Sequence, residues 1–432
     1  MKKTLIAGLV ALGLTSGVSA TVMDTVPAAP EKQATLMNWG AQPFNHWTFR
    51  NVGIQPNVMV PRGGDIVKIP EAIDSDIANI RFEYEGEEIT LRQAMINDHT
   101  DGFVVVHKGE IIYEEYFNEF TERDHHLWAS STKSLTGQLM GLLVEQGKVD
   151  VDAKVESYIP ELKGKHFGQR TVREVLNMVT ALDYSEDYEN MVPGAMVTEY
   201  FSRVGFAPAI QYYGIDPTKD DTPRGLLEFA PMFTQNPDLE PGYKFEYHSP
   251  NVDVIGWIIS RVSGQPLQTF IADNVWNKLG VEHDAFYWTD PSFNPIATGG
   301  FNTTLRDFAR VGMAIANDGK YNGEQVFAKD WVKDTFALTD EERLHTERSI
   351  YKEQGAAAYD PQLEGYKNYM WVHDSDKGIG TFRGVFGQVM YINQEQDLVI
   401  ASFSSAASAS NARRTENKVR MISHDAVAEH LK

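Results

Sequence analysis

The run "HLWASSTKSLTGQLMGLLVEQG", His126 to Gly147, places a Ser130-x-x-Lys133 spacing at the mouth of an apolar-periodic stretch. Leu135, Leu139, Leu142 and Leu143 recur at the intervals of one face of an amphipathic helix, and Gly147 stops it. Residues three apart share a helix face, so the Lys133 amine can reach the Ser130 hydroxyl. The spacing alone is weak, since a chain of this length holds about one S-x-x-K by chance. A second copy, Ser349 to Lys352, lies in the charged stretch "TERSIYKEQG" with no such helix after it. Context therefore selects Ser130. A serine hydroxyl becomes a nucleophile only with a base in reach, and the free amides at a helix start can receive an oxyanion. Serine at that position also serves as a helix N-cap, and the motif by itself leaves both roles open.

Working outward, "GFVVVHKGEIIYEEYF" gives β-rich runs at Phe103–His107 and Ile111–Phe117 around Lys108-Gly109-Glu110, a hairpin signal. Before it, a short helix is expected near Leu91 to Asn97. Residues 21–100, Pro-rich at 27–30 and 56–61 with Trp39, Phe44, Trp47 and Phe49 interspersed, read as a partly extended arm packed on the main body. Downstream, helices are expected from Thr171, from Asn251 to Gly264 and from Leu305 to Gly319. Strand character returns from Tyr366, Gly384 and Asp397, with a turn at Asn393 to Gln396 and a final helix over about Asn411 to Leu431. Strands at both ends with helices between predict an α/β (α+β) body at 101–432, an antiparallel sheet built from the two ends and a helical insert at about 150–310. A cleft forms where they meet, shaped by loops at 205–225 and 339–365.

The first twenty residues differ from the rest. Lys2 and Lys3 precede an apolar run from Leu5 to Leu14, and Val18-Ser19-Ala20 has a small-x-small form, the pattern of a cleavable secretory signal too short to span a bilayer. A periplasmic or secreted protein is expected. Loss of the two lysines takes the formal charge of the 432-residue chain from -21 to -23. Such a surface repels nucleic acid and anionic lipid. The absence of cysteine removes disulfides, thiolate nucleophiles and Cys-based zinc. His125-His126 lack an H-E-x-x-H partner set, no Gly-rich phosphate loop follows a strand, and G-x-S-x-G is absent, so neither a metal nor another cofactor is expected. Nothing in the pattern sets an oligomeric state.

Five stretches in order carry a resemblance: "WASSTKS", "TVREVLNMVTALDYSEDY", "PGYKFEYHSPNVDVIGWIISRVSG", "GGFNTTLRDFARVGMAIANDG" and "FRGVFGQVMYI". From about Asn45 onward the sequence resembles the serine β-lactamase and penicillin-binding-protein-like hydrolases, within them the class C-related branch with 6-aminohexanoate-dimer hydrolases and esterases. The resemblance implies a β-lactamase/transpeptidase-like fold with Ser130 as acylated nucleophile, Lys133 as its partner and Tyr247 as proton relay. It implies an oxyanion hole from the backbone N–H groups of Ser130 and Val385, with Gly384 allowing close approach. Tyr188 falls where the family has a tyrosine over the substrate, with Tyr184 as the competing choice. Ser249 is the implied substrate donor, with Asn251 as alternative, and Glu199 the implied partner of a substrate ammonium. The family's Lys-Thr-Gly or His-x-Gly is replaced by Phe382-Arg383-Gly384, which points toward amidases and esterases acting on small-molecule amides or esters. The alternatives are a β-lactamase or D-amino-acid peptidase, or a non-catalytic protein that binds penicillin or cell-wall peptides. Period-two alternation sends Arg383 to the face opposite Gly384.

Overall fold

The computed structural model describes residues 22–186, 192, 194–205, 225–352, 360, 362–409 and 415–432. The signal-like segment 1–20, Tyr188, most of the 205–225 loop, and 353–359 and 361 within the 339–365 loop lie outside these residues. A seven-stranded antiparallel sheet runs, in spatial order, Gly365–Lys367, Met370–Asp374, Ile379–Gly384, Gln388–Asn393, Leu398–Ser404, Thr100–His107 and Glu110–Tyr116. The chain's two ends thus meet in one sheet, Leu398–Ser404 pairing with Thr100–His107.

The central strands are apolar at nearly every position because both faces are covered. Val104, Val106, Met390 and Val399 pack with Leu135 and Leu139 of the helix Ser131–Glu145 and with Phe308 and Val311 of the helix Leu305–Ala316. Phe103, Val105, Tyr391 and Ile400 alternate to the other face, against Leu91 and Met95 of the helix Leu91–Asn97 and Val427 of the C-terminal helix Thr415–His430.

Several local expectations change in three dimensions. The helix after Ser130 is buried all round from Ser131 to Leu143 rather than amphipathic. Its small polar face is sealed by contacts the leucine spacing does not show: Ser134 Oγ donates to Tyr369 O at 2.5 Å and the Trp331 indole to Gly137 O at 2.9 Å. The insert is not purely helical. Ala285–Trp288 and Phe301–Thr303 join Asn57–Val60 and His126–Leu127 in a second, four-stranded sheet. Part of the expected 339–365 loop is a helix, Asp340–Glu347, because Thr339 and Glu342 form a reciprocal capping box that outweighs the local charge. The run from Gly384 divides: Gly384 ends the strand Ile379–Gly384, a tight turn covers Val385–Gly387, and the next strand begins at Gln388. Just ahead of Tyr247 the amides of Phe245 and Glu246 donate to His345 O and Met178 O on separate segments.

The expected arm carries structure of its own and braces the site from behind. The Asn45 side chain donates to Ser405 O (3.1 Å) and Ala406 O (2.9 Å), and the Leu127 amide donates to Phe49 O at 2.9 Å, three residues before Ser130. His46 lies 3.0 Å from the buried Asp101 carboxylate, which also meets His126 (3.3 Å), Asn118 (3.0 Å) and the Ser405 hydroxyl. Burial pushes the Asp101 carboxyl up, but the hydrogen bonds and charge of His126 and His46 outweigh it and hold the group well below the usual carboxylate range. A depressed carboxyl contributes stability above its unfolded pKa and loses it as the pH falls through the acid range. Asp101→Ala, which strands four donors, is expected to cost about 3–5 kcal/mol at neutral pH. Urea denaturation measures this, and a loss under about 1 kcal/mol would show that the arm is held elsewhere.

Candidate active site

The short strand His126–Leu127 pairs with Phe301–Thr303, and its continuation is pinned by Trp128, whose indole donates to Thr303 Oγ1 at 2.7 Å. Trp128 is fully buried against Phe301 and Phe308. Ala129 then takes a left-handed φ of 47°, a costly conformation for a residue with a β-carbon, and turns the chain into the helix. Ser130 stands at the helix N-cap, yet its side chain makes no capping hydrogen bond. Lys133 Nζ lies 2.7 Å from Ser130 Oγ and donates to Thr298 O at 2.8 Å.

Two titratable groups therefore converge on one hydroxyl. Burial pushes the Lys133 amine down to about 8, partly opposed by the negative charges of Glu186 and Asp253. The Tyr247 ring centroid is 5.0 Å from Lys133 Nζ, and the nearby Ser130 hydroxyl favours the ionised phenol. Burial, then the charge of Glu186, hold Tyr247 well above its ordinary pKa. Lys133 is thus the group that is neutral in part near physiological pH, while Tyr247 keeps its proton. A neutral amine can accept the Ser130 proton, and a protonated phenol can pass one on.

Gly384 shows why a glycine is needed opposite. A β-carbon there would lie 2.4 Å from Trp128 O, so the strand Ile379–Gly384 approaches the turn ahead of Ser130 backbone to backbone. The ladder to Met370–Asp374 includes the pairs Trp371–Thr381 and Val372–Gly380, three and four residues ahead of Gly384. Gln388 donates to Val385 O at 3.2 Å and to Ser404 O at 2.7 Å, fixing the Val385 peptide just beyond Gly384. Phe382 is fully buried. Arg383 lies on the opposite face with His373 (2.9 Å) and Asp360 (2.7 Å), its guanidinium 5.1 Å from the ring of Trp371. Trp371 in turn stacks on Tyr247 at 5.5 Å.

The remaining expected residues divide. Ser249 is close to the site, but its hydroxyl donates to Glu186 at 2.5 Å and its amide to the same carboxylate at 2.6 Å. In this structure its hydrogen is committed to Glu186. Asn251 is buried, its Oδ1 accepting from Thr180 at 3.2 Å. Tyr184 is a core residue packed on Tyr200, Phe233 and His248. Glu199 ion-pairs Arg203 one turn along its own helix at 3.0 Å, so its charge is already matched. Ser349 Oγ donates to Thr346 O at 2.6 Å, a helix-end role. His125 contacts Asp284 O at 2.7 Å, and the His126 ring stacks on Phe403 at 4.6 Å. Sequence reasoning missed Glu186, Asp253, Thr298 and Trp371. The two carboxylates had a signal: Glu186 sits in "DYSEDY", and Asp253 interrupts the apolar run "NVDVIGWII".

A two-ended antiparallel sheet with a Ser-x-x-Lys helix at its centre and a tyrosine over the serine defines a hydrolase of the β-lactamase and transpeptidase fold. The sequence profile of the beta-lactamase family matches residues 90–422, and the chain belongs to that family. It is 29% identical over 380 residues to the 6-aminohexanoate-dimer hydrolase of Paenarthrobacter ureafaciens, spanning 88% of this chain and 90% of that protein. A solved structure of a candidate 6-aminohexanoate-dimer hydrolase from Bacillus anthracis superposes with a TM-score of 0.81 at 25% identity, covering 94% of this chain and 98% of that one. A hydrolase with promiscuous acyltransferase activity, EstCE1, shares the fold with a TM-score of 0.55 at 14% identity, over 78% and 96% of the two chains. Among the described residues no helix is long and apolar enough to cross a membrane.

Proposed function

We propose that the protein hydrolyses amide or ester bonds of small molecules through an acyl-enzyme on Ser130, in the manner of a 6-aminohexanoate-dimer hydrolase, and that it works outside the cytoplasm after loss of residues 1–20. The observation that carries this reading is the 2.7 Å contact between Ser130 Oγ and a buried Lys133 amine pushed down to about 8. In this mechanism Ser130 Oγ attacks the substrate carbonyl carbon and its proton passes to Lys133. The N–H groups of Ser130 and Val385 receive the oxyanion. Tyr247 hands a proton to the leaving nitrogen or oxygen as the scissile bond breaks and takes one from Lys133 in its place. Water then attacks the ester on Ser130, Lys133 accepts its proton, and Ser130 regains a hydrogen as the acid leaves. A buried Phe382 in place of a lysine or histidine favours substrates without the carboxylate that such a cation would bind.

Intact mass of the purified mature chain tests the reading after exposure to a fluorophosphonate, a p-nitrophenyl ester, the linear 6-aminohexanoate dimer and a penicillin. The expected result is a covalent adduct in the wild type and none in Ser130→Ala, turnover of ester or dimer well ahead of penicillin, and a mass lacking residues 1–20. A folded wild type that forms no adduct and turns over none of the four would sink the acyl-enzyme and leave a binding protein.

A further inference from the structure

Asp253 lies in the helix Pro250–Ser263 among buried Val252, Val254 and Ile255, and is itself 6% exposed. A carboxylate in such a place needs partners. One oxygen accepts the Tyr200 hydroxyl, and the other accepts the Thr298 amide at 3.1 Å. The carbonyl of that same Thr298 receives Lys133 Nζ at 2.8 Å. One residue is thus gripped at both ends, its N–H by Asp253 and its C=O by Lys133.

We propose that Asp253 is a positioning residue for Lys133, holding Thr298 so that the amine is aimed at Ser130 and supplying the negative charge that balances it. The proposal rests on the reading of Ser130 and Lys133 as nucleophile and base. The electrostatics run the same way. Burial raises Asp253 to about 7, opposed by the Tyr200 hydrogen bond and then by the charge of Lys133, while Asp253 in turn raises Lys133. The groups that face the pair are Tyr200, Asp290 and Glu186, and Tyr184, Tyr287 and Tyr369 also feel the Asp253 charge. Two groups coupled in this way titrate as a pair, so removing one charge moves the apparent value of the other.

The pH dependence of kcat/KM for a p-nitrophenyl ester, measured on the full mature chain, tests this. Wild-type activity should rise as Lys133 loses its proton and level off above about pH 8. Asp253→Asn has nearly the same shape and can keep both contacts, its Oδ1 accepting from Thr298 and its amide donating to Tyr200. Without the negative charge Lys133 deprotonates more readily, so the rising limb should move to lower pH by about half a unit or more, roughly a threefold change in the proton affinity of Lys133. Asp253→Ala, lacking the grip on Thr298, should lose about tenfold or more in kcat with a smaller change in KM. Tyr200→Phe weakens the carboxylate form and should shift the limb in the same direction by less, which keeps the proposal decidable if Asp253→Asn fails to fold. Coincident profiles for wild type and the folded variants would overturn it. Absence of any Ser130-dependent turnover in the wild type would instead remove the reading beneath it, and the proposal with it.

Discussion

Lys133→Met is expected to lower kcat/KM for an ester or amide by about 10⁴-fold, near the upper range for loss of a general base. Methionine matches the lysine stem in length and suits the buried site, where Lys133 is 2% exposed, so the fold should survive. What disappears is the acceptor 2.7 Å from Ser130 Oγ. Tyr247 cannot replace it, because burial and Glu186 hold the phenol protonated. Fluorophosphonate labelling should slow in proportion if Ser130 and Lys133 act as one unit. A variant that keeps activity within about tenfold would assign the base to another group.

The second large effect is expected at Gly384. A methyl group there meets Trp128 O at 2.4 Å and Gln388 Cβ at 2.9 Å. Backbone on one side and a ladder partner on the other leave little room to yield, so Gly384→Ala should push Val385 away from the Ser130 turn. Displacing one oxyanion donor costs about 10²–10³ in kcat. The backbone conformation at Gly384 is ordinary extended strand, with φ of -129°, so the penalty comes from the close approach. Steady-state kinetics beside a thermal melt decide the matter: a fall in kcat with a retained melt is expected, and activity within a factor of about three would place the oxyanion elsewhere.

Much of the fold was legible because its determinants are local. "FVVV" and "DLVIASF" are apolar at successive positions, as strands covered on both faces must be, and they pair with each other inside the sheet. The helix expected from Asn251 runs Pro250–Ser263 and ends at Gly264 in a left-handed cap, and that expected from Leu305 ends at Ala316. Local pattern and fold part where what packs on a segment overrules its spacing. The Ser131–Glu145 helix looked amphipathic, since serine, threonine and glycine read as solvent-facing until Tyr369 and Trp331 cover them.

By itself the sequence determined the order of elements, the Ser130–Lys133 spacing on a helix start and the arrival of Tyr247 ahead of the next helix. These follow from periodicity, caps and turn residues, which act over a few positions. Only the tertiary structure decided which polar groups surround the pair. The Lys133–Thr298 contact spans 165 positions, Ser249–Glu186 spans 63 and Thr298–Asp253 spans 45. Such contacts form because closing the two-ended sheet buries these groups together, and each buried donor or carboxylate must then find whichever partner the packing brings within reach.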